Sequence, residues 1–160
     1  MKDFIATLDT KNDSLEVVGG KGRSLAKMLN AGFHVPGGFQ VTTAAYRSFV
    51  ESNNLQEQIL ELAKPKIVEG RASFEQASID IQALITRTKL SKEVIQEIKR
   101  SYERLDSTPP VAVRSSANAE DLPGLSFAGQ QETYLNVTGS DAVVAAVKNC
   151  WSSLWTAQAI

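Results

Sequence analysis

With 160 residues, 42% of them hydrophobic and 22% charged, the chain has the size and balance of one globular domain with a sizeable core. A formal net charge of −1 excludes bulk electrostatic attraction to nucleic acid or an anionic membrane, and no apolar run is long enough to span a bilayer. A single cysteine and a single histidine leave no internal disulfide and next to no Cys/His zinc centre. That usage predicts a reducing cytoplasmic setting, and Met1-Lys2-Asp3 opens into mixed sequence rather than a signal peptide.

Phe4-Ile5-Ala6-Thr7-Leu8 predicts a strand, followed by a polar turn. Val17-Val18-Gly19-Gly20-Lys21-Gly22 reads as a strand giving way, through glycines, to a helix over 20–31 with Leu25, Met28 and Leu29 on one face. Gly32 is the expected left-handed stop, Pro36-Gly37-Gly38 a turn, and 39–41 a short strand. Thr42 or Thr43 then caps a helix over 43–52 whose apolar face is Tyr46, Phe49 and Val50.

Residues 54–106 read as helical throughout, an insert interrupted only at Lys64-Pro65 and Val68-Glu69-Gly70 and carrying no clustered chemistry. Within it, Ser73-Phe74-Glu75-Gln76 suits a capping box, and Ser91 caps a helix presenting Val94, Ile98, Tyr102 and Leu105. Thr108-Pro109-Pro110 stops the helices. Val111-Ala112-Val113 opens a buried strand near 111–115, and 132–137 alternates like another. A last helix over 140–157, capped by Ser140, buries Val143, Val147, Trp151, Leu154 and Trp155. It halts at Ile160 without a glycine or proline stop, as if the natural chain ran on. The expectation is an α/β (α+β) domain in which the four strands form one small sheet.

Chemistry can reside in few places. Lys21, set among glycines at a helix start, suits a phosphate, because glycine lets backbone approach an anion and helix N-terminal amides point at it. The P-loop spacing is absent, and an exposed lysine in a turn explains the same residues. Arg114 follows an apolar run, so its base should be half-buried and its planar fork should emerge at a sheet end, where it suits phosphate or carboxylate. An ion pair with Glu120, Asp121 or Glu132 is the alternative. The seventeen or so residues that follow, rich in Gly, Ser, Asn and Gln, could wrap a polyphosphate, and connections of this length are usually functional. Glu120-Asp121 could hold a metal, but adjacent loop acids are more often solvated. His34 has no Asp or Ser at a telling spacing, Cys150 beside Trp151 reads as core, and Trp151 and Trp155 have helical core spacing rather than that of a base-stacking platform.

Together these stretches resemble one family. Val18-Gly19-Gly20-Lys21-Gly22 with Ser24-Leu25, Val35-Pro36-x-Gly38-Phe39-x-Val41-Thr42-Thr43, Val113-Arg114-Ser115-Ser116-Ala117 with Ala119-Glu120-Asp121-Leu122-Pro123, Ser126-Phe127-Ala128-Gly129-Gln130-Gln131-Glu132-Thr133 and Cys150-Trp151-x-Ser153-Leu154-Trp155-Thr156 are similar to the ATP-binding domain of dikinase-type enzymes. Phosphoenolpyruvate synthase, pyruvate phosphate dikinase and rifampicin phosphotransferase are of this type. The resemblance implies the first lobe of an ATP-grasp domain acting in phosphoryl transfer; the alternative is a non-catalytic nucleotide- or partner-binding module of the same fold, or the ATP domain of a rifampicin phosphotransferase. It implies that Lys21, Arg114, Gly129 and Thr133 contact ATP, with Arg114 catalytic, and that Lys21 and Arg114 face one cleft. Magnesium ligands and the adenine-side contacts would come from a second lobe, and the phosphocarrier histidine from a separate domain. His34 matches nothing of that kind. Asn118 stands where the family commonly has threonine, and Gln158 where it usually has arginine.

Overall fold

The computed structural model describes residues 3–11, 14–116 and 132–160. Among them it is a mixed α/β structure of six helices and three two-stranded antiparallel ribbons. The long connection after Ser116, with Glu120, Asp121 and Gly129, lies outside the described residues.

The first ribbon pairs β1 (Ile5–Thr7) with β2 (Phe39–Val41), in the register Ile5↔Val41 and Thr7↔Phe39. Between them runs α1 (Leu15–Asn30), ended by Gly32 at φ 83° as expected. Helices α2 (Thr43–Ser52) and α3 (Leu55–Leu62) follow. The second ribbon, β3 (Lys66–Val68) with β4 (Arg71–Ser73), leads into α4 (Glu75–Arg87) and α5 (Lys92–Glu103). The third pairs β5 (Val111–Arg114) with β6 (Thr133–Val137), and α6 (Ser140–Ser152) follows.

The core forms where the helical stripes meet. Phe49, Leu55, Ile59, Ile81, Ile85, Val94, Ile98, Tyr102, Val143 and Val147 are buried in one cluster. Helix α5 is the beam of this arrangement, since it packs on α6 and also on β1 and β2. Its N-cap is the expected one, with the Val94 amide donating to Ser91 Oγ at 3.3 Å. Its far end is pinned by Tyr102, only 1% exposed, whose hydroxyl lies 3.0 Å from the Thr108 carbonyl and accepts the Gly139 amide at 3.1 Å. Tyr102→Phe keeps the ring but removes the hydroxyl that accepts the Gly139 amide and donates to the Thr108 carbonyl. The expected cost is about 0.5–1.5 kcal/mol, read as a lowered urea midpoint at unchanged slope.

Several expectations need correction. The strands do not form one sheet; β2 and β5 both line a cleft instead of pairing. The 54–106 segment is not wholly helical, because residues 66–73 make a hairpin whose turn residues Glu69 (φ 51°) and Gly70 (φ 78°) are both left-handed. Helix α1 begins at Leu15, so a helical turn rather than a strand precedes the glycines. Its residues Leu25 and Met28 line the cleft, and Met28 is 43% exposed.

Gly139, not Ser140, is the N-cap of α6, and Phe74, not Ser73, is that of α4. The β5 strand is half-buried, with Val111 and Val113 against the core and Ala112 and Arg114 exposed. Helix α6 stops at Ser152, five residues short of the expected end. There the Trp155 carbonyl accepts Ser78 Oγ at 2.7 Å and Gln82 Nε2 at 3.0 Å, and its indole N–H donates to the Tyr46 hydroxyl at 3.1 Å. These bonds to α4 and α2 hold Trp155 in a turn beyond the helix.

Candidate functional site

A cleft of about 1260 Å³ separates the α1–β2 wall from the β5–α6 wall. The first wall contributes Gly20, Lys21 and Gly22; the second contributes Val111 to Ser116. Leu25, Met28, Phe39, Val41, Tyr46 and Trp151 make much of its surface apolar.

The polar end is built from backbone. Gly19, at φ 69° and ψ 179°, breaks α1, and the helix resumes at Gly20. That conformation is essentially confined to glycine. A Cβ on Gly19 would lie 1.6 Å from the Ser116 carbonyl oxygen, and one on Gly22 would lie 2.0 Å from Gln40 Oε1. The backbone thus passes itself at glycine-only distance at Gly19, while at Gly22 the close neighbour is the end of the Gln40 side chain. Ser116 joins the two walls: its Oγ accepts the Gly22 amide at 2.9 Å and its O–H donates to the Val18 carbonyl at 2.8 Å.

Lys21 and Arg114 therefore lie on opposite walls of one cleft, as the resemblance implies. Lys21 is half-buried; Arg114 is exposed at the end of β5. Thr133 sits across the ladder from Arg114 in direct register. Gly129 lies outside the described residues. Of the three acids weighed as partners for Arg114, Glu132 accepts the Tyr134 hydroxyl, and Glu120 and Asp121 lie outside the described residues. Two cations beside a helix start suit a multiply charged anion, and the apolar wall suits a planar ring.

Reading the residues one at a time missed Ser116 and Gln40. Ser116 was visible only as one hydroxyl in a polar loop, although its place two residues past a strand-end arginine was available. Gln40, 8% exposed between Phe39 and Val41, breaks an apolar strand, which is a usable signal of a polar contact within.

The other candidates do not join. His34 is exposed on the connection between α1 and β2. Cys150 is buried against the cleft, and burial, with the Glu132 carboxylate adding to it, pushes its thiol up to about 11. At pH 8 its thiolate fraction should be roughly a hundredfold below that of an ordinary cysteine. Alkylation of the native chain by iodoacetamide should be slower than that of the urea-unfolded chain by at least that factor; equal rates would contradict the burial. Among the described residues no group of three or more His, Cys, Asp or Glu side chains could hold a metal, and no helix is long and apolar enough to cross a membrane.

Residues 15–160 match the family described as pyruvate phosphate dikinase, AMP/ATP-binding domain. The chain is 42% identical to the probable phosphoenolpyruvate synthase of Staphylothermus marinus, over 99% of this chain and 20% of that protein. It is 45% identical to the phosphoenolpyruvate synthase of Aeropyrum pernix, over 95% of this chain and 19% of that one. The probable phosphoenolpyruvate synthase of Methanocaldococcus jannaschii is 43% identical over 98% of this chain and 14% of its own. The chain thus spans a fifth or less of the length of these three relatives. Motifs, cleft and match agree, and the chain belongs to the pyruvate phosphate dikinase AMP/ATP-binding domain family.

Proposed function

We propose that this chain is the first lobe of an ATP-grasp domain and holds the phosphates of ATP for a dikinase-type phosphotransferase. The observation that carries the reading is the arrival of Lys21 and Arg114, from segments far apart in sequence, on the two walls of one cleft. Lys21 supplies a point charge at the helix start. Arg114 supplies a planar fork able to follow charge onto the migrating phosphoryl group. Thr133 and Gly129 complete the phosphate contacts, and the apolar wall takes part of the nucleoside.

In this reading the phosphoryl group passes to a histidine in another domain and then to an acceptor such as pyruvate. Catalysis by this lobe is alignment and charge neutralisation. In this reading the protein ligands of magnesium come from a second lobe of a longer, cytoplasmic enzyme, as the family resemblance implies.

The test is ATP titration of the 160-residue chain and of its Lys21→Ala variant. The parent should bind weakly and release no phosphate. Loss of one charge-assisted contact, worth about 1.5–3 kcal/mol, should weaken binding about ten- to a hundredfold. Unchanged affinity would remove Lys21 from the site, and robust ATP hydrolysis by the 160 residues alone would overturn the half-site reading.

A further inference from the structure

A helix that restarts inside the chain has unsatisfied amides, and the second or third of them is normally taken by the side chain of the N-cap residue. Here the N-cap position is Gly19, which has no side chain. The third amide, that of Gly22, is taken instead by Ser116 Oγ, which is 94 residues away in sequence. The same hydroxyl gives its proton to the Val18 carbonyl, on the other side of the break. One oxygen thus closes both ends of the kink around Gly19. Glycine is needed at that position because the Ser116 carbonyl occupies the place of a Cβ. Ser116 is also two residues beyond Arg114, so the strand end that carries the arginine is the group that caps the helix carrying Lys21.

We propose that Ser116 is a positioning residue, an N-cap supplied by a distant strand, which fixes the Lys21 turn relative to Arg114 so that both cations meet one polyphosphate. The inference rests on the nucleotide reading above. On the other side of Lys21, Gln40 Oε1 fills the place that a side chain on Gly22 would take. A hydroxyl is required because the position must accept and donate at once. Alanine can do neither, whereas threonine can do both.

The experiment uses the full-length polypeptide with Ser116→Ala, Ser116→Thr and, as reference, Lys21→Ala. Hydrogen exchange is followed on the segment containing Gly22, ATP affinity by titration, and global unfolding by heat. Ser116→Ala should raise exchange of the Gly22 amide at least tenfold and weaken ATP binding about tenfold, with a melting temperature close to the parent's. Ser116→Thr should restore both readings. Unchanged Gly22 exchange in Ser116→Ala overturns the capping role. Faster exchange with parental ATP affinity, while Lys21→Ala binds weakly, overturns the positioning role and leaves the nucleotide reading standing. Parental ATP affinity in both alanine variants overturns the nucleotide reading and the positioning role with it.

Discussion

Arg114→Ala in the full-length polypeptide should slow phosphorylation of the enzyme by ATP about a hundred- to a thousandfold, the scale on which loss of one preorganised charge-stabilising group acts. Nucleotide affinity should fall far less, because in the proposed role the guanidinium opposes charge that develops as the phosphoryl group moves. Arg114 is suited to this by its place: it is exposed at the end of β5 and has no ion-pair partner among the described residues. Arg114→Lys should not rescue the rate, since a point charge on a flexible stem does not reproduce a planar fork. Rapid-quench measurement of enzyme phosphorylation beside ATP titration separates the two quantities. A parental phosphorylation rate in Arg114→Ala would exclude Arg114 from the reaction.

Gly19→Ala should be severely damaging for the addition of one methyl group. The backbone conformation alone costs a non-glycine residue about 1–3 kcal/mol. The added carbon also meets the Ser116 carbonyl at 1.6 Å, so either the turn or the end of β5 must move. Both carry a cation of the cleft, and ATP binding should drop below detection while the urea midpoint falls. Gly32 is the control, with φ 83° and nothing within 4 Å of the place a Cβ would take. Gly32→Asn, which tolerates the left-handed region, should cost about 1 kcal/mol or less and leave ATP binding intact. Parallel behaviour of the two variants would show that the close approach at Gly19 has no consequence.

Local signals were legible where one physical cause dominated. The Val94, Ile98 and Tyr102 stripe placed α5, Gly32 ended α1, and the strands near 39–41, 111–115 and 132–137 fell within a residue or so of their positions. Errors arose where tertiary partners decide. Whether four short strands form one sheet or two ribbons across a cleft depends on packing that periodicity does not report. The end of α6 was set by Ser78 and Gln82 capturing the Trp155 carbonyl, bonds formed more than seventy positions away in sequence. The hairpin at 66–73 was weakly signalled: Gly70 suits a turn, but Glu69 is not one of the usual left-handed turn residues, and the strands are so exposed, Ile67 by 73%, that no core pattern reinforced it. For the site, each of Lys21 and Arg114 alone was ambiguous with a surface charge. Several motifs in order carried the assignment, whereas the Ser116 bridge joins segments 94 residues apart and leaves no local pattern.

The span between Gly22 and Ser116 also sets how the cleft can be assembled as the chain folds. Closing a flexible loop of 94 residues costs about 4 kcal/mol in chain entropy. The two hydrogen bonds of Ser116 return together about 1–3 kcal/mol. They cannot close that loop by themselves. The closure comes from α5, which touches β1 and β2 on one side and α6 on the other, so the helices between the two cationic segments act as the folding template for a site to which they contribute no charge. The entropy of bringing Lys21 near Arg114 is therefore offset by the packed helical core rather than by the serine bridge.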